Sequence, residues 1–238
     1  VKSAHKASMQ TYGSPRITAV LREKGYRCSR PRVARIMARH NIAAKTKRRF
    51  KGTTHSAHSY PVSPNLVRRN FSSQRPNQTW TSDITYICTR EGWLYLTVVQ
   101  DVFNREIVGW SMSKSLTATQ TVIPAFQQAS TRLRKGDRLI FHSDQGSQYA
   151  CDAFRKLLAD CDVRQSMSAA GTCYDNAMTE SFFHTLKTEL VYFERYQTRA
   201  QAKNSIFEYI EVFYNRQRRH SALGYQIPVQ FARLKIAA

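Results

Sequence analysis

Residues 138–149 read RLIFHSDQGSQY, and this stretch decides the fold more than any other in the chain. A short apolar run leads into His142, Ser143 and Asp144, and a turn with Gly146 follows. The pattern is typical of a buried strand that ends in a polar turn. A carboxylate at the end of a buried strand is costly unless other groups pair with it. We therefore expect Asp144 to belong to a functional site.

Segments with strand character lie on both sides of this one. TWTSDITYICT from Thr79, GWLYLTVVQDV and REIVGWSMS are rich in β-branched and aromatic residues, and hairpin-length loops join them. RLIFHS gives a fourth strand and DVRQSM a short fifth, with helices predicted over 117–134 and 151–161. The order βββαβαβα predicts an α/β fold with a mixed five-stranded sheet and flanking helices.

A second carboxylate, Asp83, lies in the middle of the first strand, among apolar and β-branched residues. Burial makes a charge there expensive. Two carboxylates on neighbouring strands repel each other unless a cation lies between them. Because no Cys/His cluster accompanies these oxygen ligands, they favour Mg²⁺ or Mn²⁺ over softer metals.

The segment CYDNAMTESFFHTLKTEL predicts a helix that carries a third acid. Its apolar positions form one stripe, made of Met178, Phe182, Leu186 and Leu190. Glu180, His184 and Lys187 fall on the opposite side. We interpret Glu180 as a metal ligand and the other two as phosphate contacts, although an ordinary solvated polar face explains them equally well. Tyr174 and Asn176 precede the helix and are predicted to meet DNA.

Charge is unevenly spread along the chain. The formal net charge is +21, and residues 1–76 hold 18 Lys and Arg against one acid, Glu23. Such a basic segment is typical of a polyanion binder, and nucleic acid is the expected partner. A solvated basic arm without a specific role is the alternative.

Two short helices are predicted within YGSPRITAVLREKGYRCSRPRVARIMARHNI. Ser14 and Ser29 are expected to cap them, and Gly25 and Asn41 to end them. Together they fit a helix-turn-helix, whose second helix presents basic residues to phosphates and base edges. A helical hairpin with a solvated arginine face is the alternative. The predicted DNA contacts here and in the two other basic runs are Arg32, Arg35, Arg39, Lys45, Lys47, Arg48, Arg49, Arg218 and Arg219.

These observations divide the chain into a helix-turn-helix region (1–44), a basic linker rich in Pro and Ser (45–76) and an α/β domain with a C-terminal helical extension (77–238). No run approaches the 18 apolar residues of a membrane span. We therefore expect no membrane partner. The five cysteines contain no C-x-x-C pair, which argues against a disulfide framework or a zinc ribbon and favours a reducing cytoplasm.

Several motifs resemble one known family. Asp83 in WTSDITYI, Asp144 in HSDQGSQY and Glu180 in the helix above resemble the D-D-E triad of retroviral-integrase-type cores. Thirty-five residues separate Asp144 from Glu180, and Lys187 matches a basic residue typical of that helix. The closing YNRQRRHSALGYQIPVQF and the opening YGSPRITAVL resemble bacterial insertion-sequence transposases of the second-reading-frame (OrfB) type.

The resemblance implies an RNase H-like fold and metal-dependent chemistry on DNA. Two Mg²⁺ ions per site are expected, with Mn²⁺ able to substitute. Asp83 would bridge them, and Asp144 and Glu180 would each help to hold one. The implied reaction is cleavage of DNA at the ends of an insertion sequence, followed by strand transfer.

The resemblance also implies partners. They are double-stranded DNA (element ends and target), further copies of the chain assembled on it, and an upstream-frame product or frameshift fusion. Such a protein would work in the bacterial cytoplasm, at the nucleoid. Two alternatives stay open: another RNase H-like nuclease, such as one acting on RNA–DNA hybrids, and a binding-only DNA regulator from a decayed element.

Overall fold

The computed structural model describes residues 1–45, 60–68, 70–168 and 176–236. Four of the predicted DNA contacts, Lys47, Arg48, Arg49 and Tyr174, lie outside these residues. The described chain opens with three helices: Lys2–Ala7 (α1), Ser14–Glu23 (α2) and Arg30–Arg39 (α3). α2 and α3 are the two helices that the sequence predicts, and α1 was not foreseen.

Local signals account for most of the predicted helix ends. The Ser29 side chain accepts a hydrogen bond from the Arg32 amide at 3.3 Å and so caps α3. Gly25 (φ +83°) and Asn41 (φ +52°) take the left-handed conformation that ends a helix. The predicted cap at Ser14 is wrong by one position, because Gly13 is the N-cap and Ser14 is already helical.

The sheet has five strands in the order β3-β2-β1-β4-β5. Their bounds are Thr79–Thr89 (β1), Gly92–Asp101 (β2), Ile107–Ser113 (β3), Ile140–Ser143 (β4) and Arg164–Met167 (β5). β1 pairs antiparallel with β2, and β2 antiparallel with β3. β4 is parallel to both β1 and β5, so the predicted mixed five-stranded sheet is confirmed.

Helices cover both faces of the sheet. They are Val122–Ser130 (α4), Ser147–Ala150 (α5), Asp152–Asp160 (α6), Ala177–Glu189 (α7), Arg199–Phe207 (α8) and Pro228–Ile236 (α9). α8 runs on into a π-helical segment, Glu208–Tyr214. The helix predicted over 117–134 is shorter than expected. Thr121, with φ −121° and ψ −84°, interrupts it after a short 3₁₀ turn.

Two hydrophobic clusters lie on opposite faces of the sheet. α4, α5 and α6 cover one face, where Trp80, Phe126 and Phe141 are fully buried. Gly109 in β3 allows α4 to approach closely, because a Cβ at that position would overlap Ala125 and Ala129. The sheet thus has a tightly packed face that holds β4 in place.

The other face is covered by α7 and α8 together with the N-terminal helices. Ile87 of β1, Phe182 of α7 and Ile206 of α8 share one cluster with Tyr12 and Ile17. The helix-turn-helix region therefore packs into the same core as the α7 helix. No helix among the described residues is long and apolar enough to cross a membrane.

Candidate active site

Strand register places the first two carboxylates side by side. β1 and β4 run parallel, with Thr81 opposite His142. Two residues further along each strand, the same register sets Asp83 against Asp144, which directly follows the last residue of β4. Neighbouring strands lie about 4.8 Å apart, so the two carboxylates are close neighbours on one face.

Backbone amides hold each carboxylate. Asp144 accepts a hydrogen bond from the Gly146 amide at 3.0 Å, across the turn that leads into α5. Asp83 accepts one from the Ile84 amide at 2.7 Å. Because β4 ends at Ser143, β1 continues past Asp83 without a strand on that side in the described part of the chain. The pair therefore lies at an opening in the sheet.

The negative charges at this opening repel one another. Burial raises the pKa of Asp83 to about 8, and the neighbouring Asp144 and, more weakly, Glu180 push it in the same direction. The Ile84 amide and the Lys187 ammonium lower the pKa of Asp83, but their effect is smaller than that of burial and the neighbouring acids. A cation between the two carboxylates would remove this repulsion.

The start of α7 is fixed to β1 beside Asp83. The Thr179 hydroxyl donates to the Thr81 hydroxyl oxygen at 2.8 Å. The Asn176 amide donates to the Ser82 carbonyl at 3.1 Å. These bonds bring Glu180, the residue after Thr179, to the carboxylate pair. Asn176 is only 5% exposed, so the prediction that it contacts DNA is wrong. Its side-chain amide faces the interior and positions the helix.

The two faces of α7 are divided as predicted. Its apolar stripe is buried, and Glu180 and His184 are exposed on the other side. Lys187 is half-buried, and burial lowers its pKa while Asp83 opposes that change. Burial also raises the pKa of Glu180. α7 thus presents a carboxylate, an imidazole and an ammonium along one line that begins at the Asp83–Asp144 pair.

The donor chemistry fits hard divalent cations. Oxygen donors from three carboxylates are the ligands that Mg²⁺ and Mn²⁺ prefer. Within the described residues, no three His, Cys, Asp or Glu side chains are already gathered at metal-binding distance.

A buried charge cluster lies at the far end of α7, and sequence reasoning missed it. Glu189 is 6% exposed and accepts two hydrogen bonds from Arg218, at 2.7 and 2.9 Å. It also accepts from the Tyr209 hydroxyl at 2.8 Å and from Arg16 of α2 at 3.3 Å. The sequence feature that could have indicated burial of Glu189 is its position three residues after Leu186, beside the apolar stripe of α7.

The position of Arg218 in this cluster contradicts the prediction that it contacts DNA. Arg218 is 4% exposed and engaged with Glu189, so it does not offer its guanidinium to phosphate. Arg219 is half-buried, bonds to the Tyr225 carbonyl at 2.9 Å and forms an ion pair with Glu23. The Arg219 amide also donates to the Tyr12 hydroxyl at 2.7 Å. This C-terminal basic run therefore fastens the helix-turn-helix region to the rest of the fold.

The arginine row that the sequence predicts on α3 is exposed to solvent. Arg32, Arg35 and Arg39 are all exposed, while Val33 and Met37 of the same helix are buried. Lys45 lies over the Phe193 ring, 4.3 Å from its centroid, and is half-buried. The described basic residues of the N-terminal region thus include three that face solvent along one helix.

Known proteins resemble this chain along its whole length. An HTH-like domain family matches residues 1–50, and two families described as the Integrase core domain match residues 73–173 and 180–235. Transposase InsF for insertion sequence IS3A of Escherichia coli (strain K12) is 44% identical over 100% of this chain and 82% of its own length. The chain belongs to this family of IS3 transposases. A 31 kDa protein of insertion element IS600 from Shigella sonnei is 43% identical over 97% of the chain and 85% of its own length.

Solved structures agree on the fold of the transposase. A simian T-cell lymphotropic virus intasome, in complex with a PP2A regulatory subunit, aligns over 96% of this chain and 73% of its own with a TM-score of 0.56 at 16% identity. The catalytic core domain of BIV integrase aligns over 68% of this chain and 97% of its own, with a TM-score of 0.50 at 16% identity. The predicted integrase-type fold is confirmed, and cleavage and transfer of DNA strands is the activity that the family supports.

Proposed function

We propose that Asp83, Asp144 and Glu180 form the catalytic centre of this transposase. The observation that carries the proposal is the register of β1 and β4, which sets Asp83 against Asp144, and the Asp144 carboxylate adds to the rise in the pKa of Asp83. Thr179 and Asn176 bring Glu180 to the same opening from α7. The three acids come from three separate elements, so only the folded chain assembles them.

Two Mg²⁺ ions are the expected cofactors, with Mn²⁺ as a substitute. When bound, they supply an activated nucleophile and charge stabilisation of the leaving oxygen. Asp83 would contact both, while Asp144 and Glu180 would each hold one. Lys187 is half-buried, lies seven residues after Glu180 and interacts with the charge of Asp83, and we assign it a contact with a DNA phosphate beside the metal ions.

The rest of the DNA interface is basic and modular. We assign contacts with double-stranded element ends to the exposed arginines of α3, with His184 and Lys187 nearer the reacting strand. Lys45, Lys47, Arg48, Arg49 and Tyr174 complete the proposed contacts. The same proposal divides the chain after residues 44 and 76. It also includes assembly of a homo-oligomer on DNA, a partner encoded in the upstream reading frame, and action at the bacterial nucleoid.

A cleavage and joining assay tests this function. Labelled element-end duplexes are incubated with Mg²⁺ or Mn²⁺ and either the wild type, Asp144→Asn or the control Asp160→Asn, which changes an exposed carboxylate on α6. We expect metal-dependent nicking and joining by the wild type and the control, and none by Asp144→Asn despite equal DNA binding. Undiminished cutting by Asp144→Asn would refute the assignment. DNA binding without cutting by all three would favour a binding-only protein.

A further inference from the structure

A groove beside the candidate active site is lined by aromatic and cationic side chains. Its volume is about 370 Å³, and its walls are the β1–β2 hairpin on one side and the end of α7 with the following turn on the other. Tyr86 and Trp93 line the hairpin side, and Lys187, Tyr192 and Arg195 lie across from them. Aromatic rings and cations thus face one another across a space within the size range of small-ligand sites.

The aromatic side chains of the groove expose their surfaces to solvent. Trp93 is 52% exposed and Tyr86 is 41% exposed, although both sit on strands whose other face is buried. Tyr86 makes edge contacts with Trp93 and Tyr95, with ring centroids 6.1 and 5.3 Å away. An exposed aromatic cluster of this kind marks a binding surface, because leaving it in water is unfavourable.

The groove is built before any ligand arrives. The Arg199 side chain donates to the Trp93 carbonyl at 3.0 Å, and its amide donates to the Glu91 carboxylate at 2.8 Å. The Arg90 amide donates to the Tyr196 carbonyl at 3.1 Å. These bonds tie the hairpin to the segment after α7. The two walls therefore hold their spacing, which lowers the cost of ordering them on binding.

The groove is continuous with the opening in the sheet beside Asp83 and Asp144. Lys187 lies on the same face of α7 as Glu180 and also lines the groove. Burial and Tyr95 raise the pKa of Tyr86, and Asp83 and Asp144 add to that shift, so the Tyr86 hydroxyl lies within reach of their field. A strand whose phosphate reaches the carboxylates would therefore have its neighbouring nucleotides at this groove.

We propose that the groove binds unpaired nucleotides of a DNA strand end, with bases stacked on Trp93 and Tyr86 and phosphates held by Lys187 and Arg195. A duplex already stacks its bases on each other, so only an unpaired strand offers their faces to aromatic side chains. Cations beside aromatic platforms match the charge and the chemistry of such a strand. Glu194, the one acid among the described lining residues, would keep the phosphates on the Lys187 side.

This inference rests on the proposed function, since it places the unpaired strand at that active site. The test compares wild type, Trp93→Ala, Trp93→Phe and the control Phe207→Ala, another exposed aromatic, which packs on Trp110 away from the groove. Binding is measured by anisotropy on blunt element-end duplexes and on the same duplexes with unpaired tails carrying 2-aminopurine. We expect Trp93→Ala to weaken tailed DNA about 5- to 150-fold, as loss of one stacked base predicts. Blunt DNA should be unaffected, and Trp93→Phe should restore most of the loss.

Cys88 gives a second readout, because this exposed thiol also lines the groove. A base in the unpaired tail that carries a tethered 2-pyridyl disulfide should undergo exchange with the Cys88 thiol, forming the protein–DNA disulfide and releasing 2-thiopyridone. Peptide mapping identifies the product, and the same tether inside the duplex should not react. Equal binding of tailed DNA by Trp93→Ala, together with no tail cross-link, would overturn the proposal. So would a change of oligomeric state in Trp93→Ala with unchanged DNA binding, which would make the groove a contact between copies. Metal-dependent cutting by wild type in either case would show that the proposed function itself survives.

Discussion

Replacing Glu189 by Gln should be among the most destabilising single changes in the fold. The substitution keeps the shape of the side chain but removes the charge that Arg218 and Arg16 share, and their side chains are only 5% and 23% exposed. Breaking a buried ion pair from one side costs about 3–5 kcal/mol, because the partner charge stays desolvated. For a chain of this size that loss lowers the melting temperature by about 6–20 °C.

Thermal and urea unfolding of the whole chain measure this loss. The matched control is Asp152→Asn, which removes an exposed ion pair with Arg155, where the Asp152 side chain is 89% exposed. A surface pair contributes at most about 1 kcal/mol. The double variant Glu189→Leu with Arg218→Met should recover much of the stability, since apolar pairs replace buried ion pairs well. If Glu189→Gln loses no more than the control, the buried cluster does not stabilise the fold as argued.

Three further outcomes follow from the charges of the structure. Burial, with Arg218, Arg16 and Arg105, lowers the pKa of His220 from 6.5 to about 2. Below pH 6.5 the His220 side chain therefore binds a proton in the unfolded chain but not in the folded one. The free energy of unfolding should be about 1.4 kcal/mol lower at pH 5.5 than at pH 7.5 in denaturation experiments. His220→Phe should remove that loss, and an unchanged pH profile would argue against it. The pKa of Asp83, about 8, is raised above its ordinary 3.8, so the metal-free fold should lose stability as pH rises between those values. Calorimetric melting should then show a larger stabilisation by Mg²⁺ at pH 8.5 than at pH 6, and Asp83→Asn should abolish the difference. Alanine at the three exposed arginines of α3 should reduce the slope of log binding constant against log salt by up to about 2.7, or about 0.9 for each lost phosphate contact, in anisotropy titrations. An unchanged slope would remove that helix from the DNA interface.

The sequence was sufficient for the fold class and for the five strands in their order, although α1 was not foreseen. β-Branched and aromatic residues with hairpin-length loops predicted the first three strands, and the short segments RLIFHS and DVRQSM predicted the other two. The capping signal at Ser29 predicted the start of α3. The side-by-side position of Asp83 and Asp144 follows from the parallel pairing of β1 with β4, which ends directly before Asp144. The integrase-type core and the family were recognisable because several motifs recur in one order.

Side-chain directions were harder to predict, since they depend on what packs nearby. Arg218 and Asn176 look like DNA contacts in a basic or loop context, but tertiary partners turn both inward. Glu189 gave only a weak signal, a charge on an apolar stripe, and its partner Arg218 lies 29 residues further along the chain. The groove of Trp93 and Lys187 joins elements far apart in sequence, so no linear pattern could predict it.

The central claim is that the three carboxylates hold metal ions against the phosphodiester that is cut. Its most direct test replaces the leaving 3′-oxygen of an element-end duplex by sulfur, a soft atom that Mg²⁺ binds poorly and Mn²⁺ binds better. We predict that the wild type cuts this bond with Mn²⁺ but not with Mg²⁺, and that Glu180→Gln cuts it with neither while still binding the DNA. Equal cutting in both metals, or cutting by Glu180→Gln, would contradict the account.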